Sequence, residues 1–94
     1  MTKVQKHNIK LAIKRGDIKL AVRLIVMCNI ETGYCGNKLQ GFFIGNAESD
    51  ALAMGLSLPQ FAGGLSAMKK AGEYTPSEDP EFRGKYGYLI VEQE

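Results

Sequence analysis

Residues 56–72, LSLPQFAGGLSAMKKAG, leave the backbone little choice. Ser57 and Gln60 stand at capping-box spacing, where each side chain satisfies an orphan amide at a helix start. Leu56 before the cap and Phe61 after it are placed to close a hydrophobic staple. Pro59 falls in the first turn, where a missing amide hydrogen costs little. Leu58, Phe61, Leu65 and Met68 recur at three- and four-residue spacing and form one apolar stripe expected to face the core. Lys69 and Lys70 suit the negative end of the helix dipole, and Gly72 supplies a left-handed stop. Only Gly63 and Gly64 dissent, at a cost of about 1 kcal/mol each relative to alanine.

A second helix is expected just before this one. Asn46 can cap it, Glu48 and Asp50 occupy its first turn, and Ala51-Leu52-Ala53-Met54 leads to a stop at Gly55. Two helices therefore meet across Gly55-Leu56-Ser57. Tyr74-Thr75 can open a strand after them. Residues 76–85 read as a charged loop, and residues 86–91 as a returning β-branched and aromatic strand. Between Glu31 and Asn46, Gly33, Gly36, Gly41 and Gly45 surround Phe42-Phe43-Ile44, the pattern of a loop leading to a short strand.

The first 30 residues admit two readings. Ile9-Lys10-Leu11-Ala12-Ile13-Lys14 is echoed by Ile18-Lys19-Leu20-Ala21-Val22-Arg23. Either two helices meet at Gly16-Asp17, with Gly16 as left-handed cap and Asp17 as N-cap of a helix reaching about Ile30, or Gly16-Asp17 is a two-residue hairpin turn. The hairpin would oppose Lys14 to Lys19 and Lys10 to Arg23, and facing like charges destabilise a sheet. Helices are therefore preferred. The second of them is apolar around most of its circumference, as suits a place in the core or in a dimer interface.

Ninety-four residues, 45% apolar and 23% charged, give one globular domain rather than a disordered chain. The longest uninterrupted apolar run, Leu24 to Cys28, is far short of the ~20 residues that cross a bilayer. Lys19 and Arg23 break up the surrounding stretch, so no secretory leader is expected. Cys28 and Cys35 make no disulfide framework, and a cytoplasmic protein with free thiols is the expectation. The net charge of +2 is modest, but residues 1–30 carry +6 and residues 31–94 carry −4. That asymmetry favours a basic N-terminal segment, residues 1–16, able to touch phosphate, although a merely solvated lysine face has the same composition.

Catalytic and metal patterns fail on inspection. Gly36 to Gly41 has the glycine spacing of a phosphate loop, but Phe42-Phe43 stand where lysine and a hydroxyl residue are required. Cys28, Cys35 and the lone His7 lack zinc-site spacing, and no Ser-His or Cys-His pair suggests a nucleophile. Glu78-Asp79 and Glu92 with Glu94 read as solvated charges of a loop and a tail. Arg15-Gly16-Asp17 matches an adhesion tripeptide by letter alone. An enzyme is not expected.

Two helices joined by a tight turn and followed by a β-hairpin form the arrangement of a winged helix-turn-helix. Leu52-Ala53-Met54-Gly55-Leu56-Ser57-Leu58-Pro59 and Leu65-Ser66-Ala67-Met68-Lys69-Lys70-Ala71-Gly72 resemble the corresponding stretches of bacterial winged-helix repressors. Arg83-Gly84-Lys85-Tyr86-Gly87-Tyr88-Leu89 is similar to the wing of the branch that includes the iron–sulfur-cluster regulators. The resemblance covers about residues 18–91. It implies an α+β winged helix-turn-helix over residues 17–94, with three or four helices and a small antiparallel sheet. It further implies a homodimer that binds duplex DNA and regulates transcription.

By the same resemblance the helix after Ser57 enters the major groove while the wing meets the backbone. Gln60, Gly63, Gly64, Ala67 and Lys70, with Ser66 and Lys69 beside them, would face outward, and Ser57 is a further candidate contact. Gln60 would read adenine through both groups of its amide, and Lys69, Lys70, Arg83 and Lys85 would serve phosphates. Gly63-Gly64 would permit close backbone approach to DNA or to a partner. No cysteine follows Cys35, so no cluster, metal or other cofactor carries over. Glu78, Asp79 and Glu81 in the wing loop would repel phosphate, and the recognition helix offers a single amide and no arginine. These features favour the alternative, a winged-helix scaffold that acts by protein–protein contact.

Overall fold

A computed structural model describes residues 1–35, 38–44, 47–76 and 86–90. Helix α1, Lys3–Lys14, starts at a capping box of its own: Gln5 N–H donates to Thr2 Oγ1 at 3.1 Å, and Thr2 N–H donates to Gln5 Oε1 at 2.8 Å. Asp17 Oδ1 accepts from Leu20 N–H at 3.1 Å and caps helix α2, Ile18–Cys28. Residues 9–24 are therefore two helices and not a hairpin. Strands β1, Ile30–Cys35, and β2, Lys38–Ile44, follow. Helix α3, Ala47–Ala53, and helix α4, Leu58–Lys70, come next. Strands β3, Tyr74–Pro76, and β4, Tyr86–Ile90, complete the described chain. Asn46, expected to cap α3, and Val91, expected in the last strand, lie outside the described residues.

One device ends α1, α3 and α4. Gly16, Gly55 and Gly72 take φ values of +76°, +92° and +74°, which side-chain-bearing residues rarely adopt. The next residue then reaches back to the third-last helical carbonyl: Asp17 to Ala12, Leu56 to Ala51 and Glu73 to Met68, at 2.9–3.0 Å. The chain thus reverses sharply at each break that sequence reading had placed.

Residues 31–35 and 38–41, expected as loop, are instead paired strand, and the expected strand at Phe42-Phe43-Ile44 is the end of β2, while Gly36 and Gly45 lie outside the described residues. β1 lies antiparallel to β2, with Ile30 opposite Phe43 and Cys35 opposite Lys38. Strand formers recur at alternate positions Ile30, Thr32 and Tyr34, and cross-strand pairing outweighs the intrinsic weakness of Gly33 and Gly41. The sheet order is β1-β2-β4-β3, antiparallel throughout. The strand that precedes α3 thus pairs with the last strand rather than with the one that follows α4.

Among the residues whose burial is described, the core is built mainly from the helices. Ile9 and Ala12 of α1, Ala21, Val22, Ile25 and Val26 of α2, Ala47 and Ala51 of α3, and Phe61 and Met68 of α4 are buried together with Leu56 and Tyr74. α2 packs against α1, α3 and α4, which explains its unusually apolar circumference. α1 belongs to the same core, so residue 16 marks a turn across which the packing is continuous. A radius of gyration of 12.8 Å is close to the ~12.4 Å typical of a folded chain this long. The molecule is a small compact α+β domain.

Candidate nucleic-acid interface

The turn from α3 to α4 sets the candidate site. Gly55 reverses the chain, Leu56 is buried, and Ser57 opens α4 as its N-cap. Gln60 N–H donates to Ser57 Oγ at 3.3 Å, and Ser57 N–H donates to Gln60 Oε1 at 2.9 Å. The expected capping box is present. It also ties both side chains to the helix start: Gln60 Oε1 already accepts the Ser57 amide, which fixes the orientation of its side-chain amide.

Two expectations about the faces of α4 are corrected. Leu58, assigned to the core stripe, is 50% exposed because it sits at the first helical position, beyond the reach of α2. Gly64, assigned to the outward face, is buried. A Cβ on it would meet the Val22 Cβ at 2.7 Å and the Val22 Cγ2 closer still. Its missing side chain is what lets α4 approach α2, so the close backbone approach is made inside the molecule and Gly64 is not a surface contact. The inner face of α4 is thus Phe61, Gly64 and Met68, with Leu65 partly buried. Gly64 falls three residues after Phe61 and four before Met68, a stripe position that an apolar-only count passes over.

The outer face carries Ser57, Gln60, Gly63, Ser66, Lys69 and Lys70, all exposed, while Ala67 is half-buried. A Cβ on Gly63 would touch nothing within 4 Å. The structure thus brings six of the expected contacts onto one helix. Arg83, Lys85 and the acidic Glu78, Asp79 and Glu81 lie outside the described residues, as does the wing loop that holds them.

Charges around α4 are sorted by partner. Lys19 Nζ and Arg23 Nη1 of α2 approach Glu73 at 3.0 and 3.7 Å, pinning the residue after Gly72 to α2. Lys69 and Lys70 form no ion pair among the described residues. Sequence reading missed Asn29, whose Nδ2 donates to Ile25 O at 3.0 Å and to Asp50 Oδ2 at 2.8 Å, tying the end of α2 to α3. An asparagine just beyond an apolar helix was the available signal.

Burial pushes the Cys28 thiol above its ordinary pKa; the chain's amino terminus opposes this and Asp50 adds to it. Cys28 is therefore held as a neutral thiol near pH 7, not as a nucleophile. Burial raises the Tyr74 phenol in the same direction. Among the described residues no cluster of histidine, cysteine and carboxylate could hold a metal ion, and no helix is long and apolar enough to cross a membrane. Comparison with protein-family models, curated proteins and solved structures finds no match to this chain.

Proposed function

We propose that this chain is a winged helix-turn-helix protein that binds duplex DNA as a homodimer and regulates transcription, with α4 in the major groove. The observation that carries the reading is the pair α3–α4, hinged at Gly55, with α4 buried along one side and open along the other. The open side ends in Lys69 and Lys70, which form no ion pair among the described residues and suit contact with phosphate. The strand order supports it as well: β2 leads into α3, β3 and β4 follow α4, and β4 lies between β2 and β3. The antiparallel pair β3–β4 after α4 stands where the resemblance expects the wing, and β1 adds an outer strand to the sheet. The proposal gives the chain no catalytic step.

Its affinity would rest on phosphate contacts, because the outer face of α4 is chemically sparse. Binding of a mixed-sequence duplex at about 50 mM salt, weakening steeply as salt rises, is the expected result. Replacing Lys69 and Lys70 by alanine should lower the log–log salt slope by about 1.8, two contacts at about 0.9 each. Light scattering at micromolar protein tests the dimer.

A second reading, a scaffold for protein contact, is favoured by one observation: Leu52 and Leu58 flank the α3–α4 turn and are each 50% exposed. Absence of duplex binding at low salt would select that reading.

A further inference from the structure

We infer that α1 is a second DNA-contacting element, a lysine ridge that runs along the phosphate backbone and supplies more of the sequence-independent affinity than α4 does. The inference rests on the DNA reading above. Lys3, Lys6, Lys10 and Lys14 recur at three- and four-residue intervals, which confines them to an arc of about 80° on a helix with 3.6 residues per turn. All four are exposed, along a strip of α1 beside the face that buries Ile9 and Ala12. From Lys3 to Lys14 the ridge is about 16 Å long, and duplex DNA of that axial length presents on the order of ten phosphate charges.

The fold does not need these cations. α1 contains no acidic residue, and none of its lysines forms an ion pair among the described residues, whereas Lys19 and Arg23 of α2 both meet Glu73. Asp50 lines the same shallow groove as Lys6 and Lys10, but among the described residues it hydrogen-bonds Asn29 and forms no ion pair with either lysine. The array also breaks local rules. Lys6 and Lys10, and Lys10 and Lys14, are like charges four residues apart, and Lys3 and Lys6 sit at the positive end of the helix dipole. Such conflicts between local preference and the fold are expected where a partner supplies the compensation.

Placement agrees. The groove beside Lys6 and Lys10 is lined by Ala53 and Met54, the last residues before the Gly55 turn into α4. The ridge therefore adjoins the α3 end from which α4 departs. A lipid surface fits less well, because an interfacial helix needs a broad apolar face and α1 leaves only Val4 and Leu11 exposed, with Ile9 and Ala12 buried in the core.

The test compares the full chain with K3Q/K6Q/K10Q/K14Q and with K69Q/K70Q on a mixed-sequence duplex of about 20 base pairs, between about 50 and 200 mM salt. Glutamine keeps helix propensity, and circular dichroism confirms the fold. The fourfold variant should lose about 3.6 from the log–log slope, so that the salt range costs it about 150-fold less affinity than it costs the wild type. The all-arginine variant of the same positions should restore the slope. An unchanged slope in the fourfold variant, with a reduced slope in K69Q/K70Q, overturns the ridge and leaves α4 standing. The reverse pattern supports the ridge and removes α4 as the contact helix. If wild type binds no duplex at the lowest salt, both fall. Lysine-dependent binding to vesicles with anionic headgroups but not to duplex overturns the ridge in favour of a membrane partner.

Discussion

α1 and α4 both pack on α2, but they do so by different means. α4 comes close: Gly64 leaves room for Val22, and Glu73 just beyond the helix holds Lys19 and Arg23. α1 meets α2 through Ile9 and Ala12 and forms no ion pair with it. Close packing makes the α2–α4 contact sensitive to single atoms, while the exposed side of α1 is left to its lysines. A helix fastened by apolar contact alone can vary its outer charges for a partner without disturbing the core.

The sharpest way to break this contrast is Gly64→Ala. The added methyl enters the β-branched Val22 side chain, and overpacking of this kind costs about 2 kcal/mol after helix propensity is allowed for. A melting temperature lower by on the order of 10 °C is expected. An unchanged melting temperature would show that α4 can step back from α2 at no cost. The adjacent change, Gly63→Ala, should act the other way. Nothing stands within 4 Å of the new methyl, so a gain of about 0.5–1 kcal/mol is expected from propensity alone, read as a higher denaturation midpoint at constant slope.

Glu73→Gln should have the smallest effect, a few tenths of a kcal/mol at low ionic strength, because the carboxylate is partly exposed. The difference should vanish in about 1 M salt, where screening is nearly complete. A large, salt-independent loss would mean that the pair holds α4 in place rather than decorating it.

The helix boundaries were legible because each is written in a few adjacent residues. Asp17 and Ser57 cap, and Gly16, Gly55 and Gly72 stop, whereas the capping box at Thr2 that starts α1 was overlooked. The β1–β2 pairing was not legible, since β1 is stabilised by cross-strand partners three to thirteen residues away, from Cys35↔Lys38 outward to Ile30↔Phe43, and its glycine argues locally for a loop. Of the candidate site, the residue types of α4 could be read but not all of its faces. Leu58 has core chemistry at a position the core does not reach, and Gly64 has no chemistry of its own yet occupies the closest contact of the helix.

What the residues determined unaided were the breaks in the chain and the +6 charge of its first third, because capping and charge act over one turn or none. What only the tertiary structure decided was which glycine is buried, which leucine is bare, and which cations find a carboxylate. Those outcomes depend on the distance between helices that sequence places far apart, and that distance is set by the packing of α2 against three neighbours at once.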